Sequence, residues 1–145
     1  MTHYPLEGVV IVDLTQIYNG PYATYLMALA GATVIKIEPP GGESLRRRGV
    51  VGGAALPFAM LNGAKKSICL DLKSDLGKRA LLDLVADADV LVENFSPGTM
   101  DRLGLGYDHL KTLNPRLIYA ASSGYGSTGP YQKYPAMDLT VQAMS

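Results

Sequence analysis

The sequence has no net charge, a single cysteine and only two histidines, and each shortage excludes something. Lys+Arg 13 against Asp+Glu 13 leaves no field of one sign to draw in nucleic acid or an anionic membrane surface. One thiol, Cys69, cannot form an internal disulfide and suits a reducing compartment; within Ser67-Ile-Cys-Leu it is expected to be a small buried side chain. His3 and His109 stand far apart without ligand-spaced companions, so no metal site is expected. No apolar run approaches the length that spans a bilayer, and the N-terminus lacks a basic region followed by an apolar one. The expectation is a soluble cytoplasmic protein.

What is present is an alternation. Val9–Asp13 is a short, β-branched apolar run, expected as a strand buried on both faces. Pro21 suits a first helical turn, Ala23, Leu26, Met27 and Ala30 form an apolar stripe, and Gly31 supplies a stop. Thr33–Glu38 is a second strand, closed by Pro39-Pro-Gly-Gly42. From Glu43 to Ala64 the pattern weakens into a long loop with a short helical piece. Ser67–Asp71 is a third strand, and Ser74 can cap a helix with Leu76, Ala80, Leu81, Leu84 and Val85 on one face. Val90–Glu93 and Arg116–Ala121 are further strands, separated by short helices from Pro97 to Leu103 and, capped by Asp108, to Leu113. Strands this apolar argue for an α/β, Rossmann-like, mostly parallel sheet with helices on both faces. The last stretch, Ala136–Ser145, is helical in pattern but has no cap, so the polypeptide is expected to continue.

In open parallel sheets ligands gather outside the carboxyl ends of the strands, where helix N-termini converge. Here those ends carry Thr15–Asn19, Glu38-Pro39, Asp71-Leu-Lys73, Glu93–Ser96 and Ser122–Gly126, enough for one composite site. The first strand-to-helix turn lacks the Gly-x-Gly-x-x-Gly spacing of dinucleotide folds, the phosphate-loop signature is absent, and no Gly-x-Ser-x-Gly elbow exists. Lys65, Lys66, Lys73 and Arg102 remain as candidate phosphate partners, against a solvated role for the lysines and an ion pair of Arg102 with Asp101 or Glu93. Asp13 and Asp138 are the carboxylates placed to do chemistry, with capping or packing as the plainer reading.

Several strings, in order and across nearly the whole chain, resemble the family III CoA-transferases (CaiB/BaiF type, formyl-CoA transferase-like). They are Leu6-Glu-Gly-Val-Val-Ile-Val-Asp-Leu-Thr, Gly20-Pro-Tyr-Ala, Gly31-Ala-Thr-Val-Ile-Lys-Ile-Glu-Pro-Pro-Gly-Gly, Leu70-Asp-Leu-Lys, Asp89-Val-Leu-Val-Glu-Asn-Phe-Ser-Pro-Gly and Asn114-Pro-Arg-Leu-Ile-Tyr. The resemblance implies an enzyme that moves CoA between carboxylic acids, with acyl-CoA and a carboxylic acid as partners, no metal, and an interlocked homodimer as the full-length assembly. Residues 1–145 would be the N-terminal part of its CoA-binding large domain, without the second domain. It also implies coenzyme A contacts at Tyr18, Asn19, Leu70, Asp71, Leu72, Lys73, Asn94, Phe95, Ser96, Arg102, Tyr134, Pro135, Ala136 and Met137. Where a relative has a basic residue after the second strand, this chain has Pro39, a role Arg46–Arg48 would have to fill.

The resemblance further implies an aspartate nucleophile that forms mixed anhydrides, lying beyond Ser145, with Asp138 structural. No residue within the chain is therefore expected to be the nucleophile, and the piece alone is expected to bind CoA weakly or not at all. Racemases on the same fold use a histidine where this chain has Met137, and a thioether exchanges no proton, which favours the transferase branch. The alternatives are the racemase branch, a free-standing non-catalytic CoA-binding module, and the remnant of a disrupted gene.

Overall fold

A computed structural model describes residues 3–144 of the chain. Its first unit follows the pattern of the sequence. Val10–Asp13 forms β1, and alternate residues face opposite ways: Ile11 packs with Ala32, Val34 and Val92 under one layer of helix, Val12 with Leu81, Val85 and Leu91 under the other. Asn19–Leu29 forms α1 and Thr33–Glu38 forms β2. The long loop holds more structure than its weak periodicity suggests: a 3-10 turn at Ser44–Arg47, a hairpin of β3 (Val50–Val51) and β4 (Ala54–Ala55), and α2 (Leu56–Asn62). β5 (Lys66–Cys69), α3 (Asp75–Ala86), β6 (Val90–Glu93), α4 (Thr99–Arg102), α5 (Tyr107–Leu113), β7 (Ile118–Ala121) and α6 (Asp138–Met144) complete the order.

The five long strands form one sheet in the order β5-β2-β1-β6-β7, every neighbouring pair parallel. The chain steps outward from β1 through β2 to β5, then returns to lay β6 against the other side of β1 and steps outward to β7. Direction of progress therefore reverses between β1 and β6, and the loops leaving those two strands diverge. A crevice opens at such a point, at the carboxyl edge of the sheet. α1 packs on α2, and α3 on α5.

Several expectations are corrected. The strands at the two edges are not apolar on both faces: every residue of β5 is exposed, Cys69 included, and Ile118 of β7 is 63% exposed. β5 also begins at Lys66 rather than Ser67 and ends before Asp71, while β7 begins at Ile118 rather than Arg116. In α1 the buried face is Gly20, Pro21 and Thr24, while Leu26 is exposed, because the helix approaches the sheet through small residues at its start. A Cβ on Gly20 would lie 2.3 Å from Thr15 Cβ, so only glycine permits that approach. In α3 the inward stripe is Gly77, Leu81 and Val85, spaced by four, and Leu76 points to water. Ser74 caps α3 as expected, its hydroxyl accepting from Gly77 N–H at 3.1 Å. α5 instead begins after Gly106, with Asp108 inside the first turn, where its charge suits the positive end of the helix.

Candidate functional site at the carboxyl edge

The carboxyl end of β1 is held by charges that the surrounding apolar core would not tolerate unpaired. Asp13 is fully buried and accepts hydrogen bonds from Thr15 N–H at 2.9 Å, from the Thr15 hydroxyl, and from the Thr24 hydroxyl at 2.7 Å. Lys65 closes the cluster, its ammonium 2.9 Å from Asp13 Oδ2 and within hydrogen-bond distance of Pro21 O, Thr24 Oγ1 and Asn62 Oδ1. Burial pushes the Lys65 pKa down and the Asp13 charge works against that push. Lys65 is thus a core residue and leaves the set of phosphate partners. Asp13 takes the plainer of its two readings, as the anchor of the loop and of α1.

A second buried group lies across the reversal point. Lys36 of β2 donates to Thr15 O at 2.8 Å and lies 3.7 Å from Glu43 Oε2, both side chains 1% exposed. Glu43 Oε1 accepts Ile17 N–H at 2.9 Å. Asn94, at the end of β6, accepts Gln16 N–H through Oδ1 and donates to Gln16 O through Nδ2, each at 2.8 Å. That two-point pairing bridges the crevice between the loops after β1 and β6. The backbone of Thr15, Gln16 and Ile17 is therefore gripped from β1, β2, the Glu43 turn and β6, and within it Ile17 has φ +67°. A β-branched residue rarely takes that left-handed conformation, so the loop is strained and held.

Beside this loop lies a cavity of about 260 Å³, walled by Leu14, Ile37, Leu70, Leu72, Phe95 and Leu103. Gln16, Glu38, Glu43, Asp71, Lys73 and Thr99 supply polar atoms to it. The Asp71–Ser74 turn on one side is stiff: Ser74 N–H and hydroxyl both donate to Asp71 O, and a Cβ on Gly77 would lie 2.1 Å from that same oxygen. Within it, Leu70 N–H is taken by Glu38 O and Lys73 N–H by Asp71 Oδ1. Among the described residues the Asp71 and Leu72 N–H groups have no acceptor, so they are the donors this turn can offer to a ligand. The Lys73 ammonium is exposed and makes no hydrogen bond or ion pair among the described residues.

Glu38, under the cavity, accepts from Arg46 through both oxygens at 2.6 Å, from Glu43 N–H at 2.9 Å, and from the Ser67 hydroxyl. Burial opposes its ionisation, but the bonds from Arg46, Ser67 and Glu43 N–H outweigh burial and bring the pKa down to about 2. Arg46 lies 3.8 Å over the Phe58 ring as well, and Arg47 donates to Gly41 O. Arg46 is therefore not spare for a phosphate, while Arg47 and Arg48 are exposed without an ion pair among the described residues.

The other implied contacts fall as follows. Leu70 to Lys73 and Phe95 line the cavity together. Tyr18 and Asn19 are exposed where α1 starts, directly beyond the gripped loop. Asn94 reaches the edge, but its amide is engaged with Gln16. Ser96 is exposed just past it. Arg102 makes no ion pair with Asp101 or Glu93 among the described residues; it donates to Thr99 Oγ1 at 2.7 Å, which places it next to a cavity-lining residue. Tyr134 to Met137 run after β7, where Ala136 packs on Gly124 and Tyr134 on Tyr131, and none of the four lines the cavity. Asp138 is exposed in the first turn of α6, and His109 is exposed with Nδ1 2.7 Å from Gly104 O.

A second cavity, of about 540 Å³, lies on the far side of Phe95 between β6, β7 and α4. Glu93 and Tyr119 meet there at 3.3 Å; burial raises both pKa values, and the Phe95 N–H bond to Glu93 partly offsets the rise of the carboxyl. The string Gly124-Tyr-Gly-Ser-Thr-Gly129 borders it and has the dinucleotide spacing, yet no helix follows until Asp138. With Glu93 and Asp101 in the wall, the cavity is unsuited to phosphate.

Glu43 escaped the sequence reading, and Gln16 and Ile17 entered it only as part of the segment Thr15–Asn19 after the first strand. The usable signal was Lys36: a lysine in the middle of Val34-Ile-Lys-Ile requires a buried counter-charge, and Glu43 is the first free acid after the strand.

A family model described as CoA-transferase family III matches residues 6–145. The chain is 51% identical over 143 residues to an acetyl-CoA:oxalate CoA-transferase of Acetobacter aceti, covering 97% of this chain and 37% of that protein. It is 44% identical over 146 residues to a formyl-CoA:oxalate CoA-transferase of Streptomyces coelicolor, covering 99% of this chain and 35% of that one. A solved CaiB/BaiF family protein from Brucella suis superposes with a TM-score of 0.93 at 39% identity, over 99% of this chain and 39% of its own. The chain thus spans a little over a third of the length of these relatives.

Proposed function

The chain belongs to CoA-transferase family III, and from that premise we propose that it is the coenzyme A-binding part of an enzyme that transfers CoA from an acyl-CoA to a carboxylic acid. The observation that carries this reading is the cavity at the reversal point of the sheet. Its walls are Leu14, Ile37, Leu70, Leu72, Phe95 and Leu103, which suit a flat, weakly polar base. The free N–H groups of Asp71 and Leu72 supply edge donors, and the unpaired Lys73 at the rim, with Arg102 beside Thr99, offsets phosphate charge.

The relatives named as acetyl-CoA:oxalate and formyl-CoA:oxalate CoA-transferases make small acids the reading for donor and acceptor. In this reading an aspartate outside residues 1–145 attacks the thioester carbonyl. The C–S bond breaks, CoA leaves as thiolate and an acyl-aspartyl anhydride forms. The acceptor carboxylate attacks its aspartyl carbonyl and displaces the donor acid as carboxylate. The CoA thiolate then attacks the acceptor carbonyl of the new anhydride, forming the product thioester and freeing the aspartate. The buried acids here are committed elsewhere: Asp13 to Lys65, Glu38 to Arg46, and Glu43 to Ile17 N–H and Lys36. This chain's residues bind and orient; they do not attack.

The test is an NMR titration of the chain with CoA to millimolar concentration. Shifts confined to the amides of Gln16, Asp71, Leu72 and Lys73, lost in Leu72→Glu, support the reading. Shifts centred on the Glu93 cavity, or shifts that persist in Leu72→Glu, overturn it.

A further inference from the structure

Ile17 is the one non-glycine residue with positive φ among the described residues, and the groups around it that hold the loop are polar side chains, with Lys36 and Glu43 buried and Asn94 half-buried. Released from its contacts, a β-branched residue returns to negative φ, since the left-handed region crowds its Cβ against the backbone. On one side of it, Gln16 lines the cavity; on the other, Tyr18 is exposed at the start of α1. Rotation at Ile17 would move both.

Four side chains grip this backbone, and they differ in what they can hold: Asp13 takes the Thr15 N–H. Lys36 holds Thr15, before the bend, and Asn94 holds both polar groups of Gln16. Only Glu43 takes the N–H of Ile17 itself, at 2.9 Å. Glu43 is also fixed at its other end. It is 2% exposed, its own N–H donates to Glu38, and its Oε2, which has no hydrogen-bond donor, faces the Lys36 ammonium at 3.7 Å. An acceptor so immobilised defines where the Ile17 N–H must point.

We infer that Glu43 is a positioning residue, whose buried carboxylate holds Ile17 in the left-handed conformation and thereby sets Gln16 and Tyr18 at the mouth of the cavity. The inference rests on the CoA-binding reading for its consequence but not for its geometry. Asn94 contributes to the same hold, since its amide is spent on the Gln16 backbone and acts on a ligand through the loop and not through its side chain.

The experiment pairs two readouts on the 145-residue chain. The first is the intraresidue amide-to-Hα NOE of Ile17, which is strong only at positive φ; the second is the midpoint of the CoA titration at the Leu72 amide. In the wild type the NOE is strong and the Ile17 amide exchanges slowly. Glu43→Ala weakens the NOE and raises the titration midpoint about tenfold or more, since the competent conformer becomes a minor one. Adding Ile17→Gly to Glu43→Ala restores the midpoint to within about threefold, because glycine takes positive φ freely. A merely structural role for Glu43 predicts no rescue.

A strong NOE and an unchanged midpoint in Glu43→Ala overturn the inference, as does a double variant that binds no better than the single. Should Glu43→Ala not fold, the wild type decides: a weak Ile17 NOE with fast amide exchange also overturns it. If wild-type chain shows no CoA response, the NOE and the amide exchange of Ile17 by themselves test Glu43.

Discussion

Acid should strip the fold of one identifiable contribution, that of Glu38. Its carboxyl is 1% exposed and its pKa falls from the ordinary 4.5 to about 2 when folded. A carboxyl whose folded pKa is depressed adds stability that is complete above the unfolded value, near 4.5, and vanishes as pH falls through 2. A shift of that size is worth at most about 3 kcal/mol at neutral pH, and closer to about 2 kcal/mol because water screens the half-exposed Arg46 guanidinium. Glu38→Gln removes the titration while keeping the shape. Urea unfolding of both proteins from pH 7 to pH 2 isolates the contribution, since every other carboxylate titrates in both and cancels in the difference. The wild type should lead by a urea midpoint of roughly 1–2 M above pH 5, given ordinary denaturant slopes. The lead should close between pH 4.5 and 2, over the interval between the two pKa values. A gap that stays constant across that interval refutes the reasoning, because it would make the advantage one of packing rather than charge.

Glu93 should behave with the opposite sign. Burial raises its folded pKa, so its contribution is full below the ordinary carboxylate value and declines as pH rises through the raised one. Glu93→Gln should therefore unfold at higher urea than the wild type at pH 7 and match it at pH 3; a less stable variant at pH 7 refutes this. Lys65→Met strands the buried Asp13 carboxylate and should lower unfolding stability by about 3–5 kcal/mol in equilibrium denaturation, with a loss under about 1 kcal/mol showing that the pair is not structural. Lys73→Ala should weaken CoA binding about three- to tenfold in the NMR titration and flatten its dependence on salt, while leaving urea unfolding unchanged, because the ammonium is exposed and unpaired; an unaltered salt dependence counts against a phosphate contact.

The alternation of strands and helices was legible in the sequence because the signals that write it are local. Val10 to Asp13, Thr33 to Glu38 and Val90 to Glu93 each carry the β-branched apolar residues that pair, and Ser74 marks the start of α3 by its own hydroxyl. Helix faces were less legible. Leu26 and Leu76 fit an apolar stripe, yet both point to water, since what faces inward depends on how closely the helix approaches. At Gly20 and Gly77 that approach is close enough to exclude a side chain, and no periodicity reports it. The exposure of Cys69 has the same origin: a strand's own residues do not say whether it lies at the centre or the edge of a sheet.

The sequence alone determined the parallel α/β architecture and, through strings spread along the chain, the family. Tertiary structure alone decided the roles of the charges. Lys65, whose plainer reading was a solvated one, is buried on Asp13; Asn94 holds the Gln16 backbone with its side chain; Glu43 carried no motif and grips the loop. The reason is that a buried charge is defined by its partner. Lys65 and Asp13, or Glu43 and Ile17, are far apart in the chain and meet only when β1, β2 and β5 come together in one sheet.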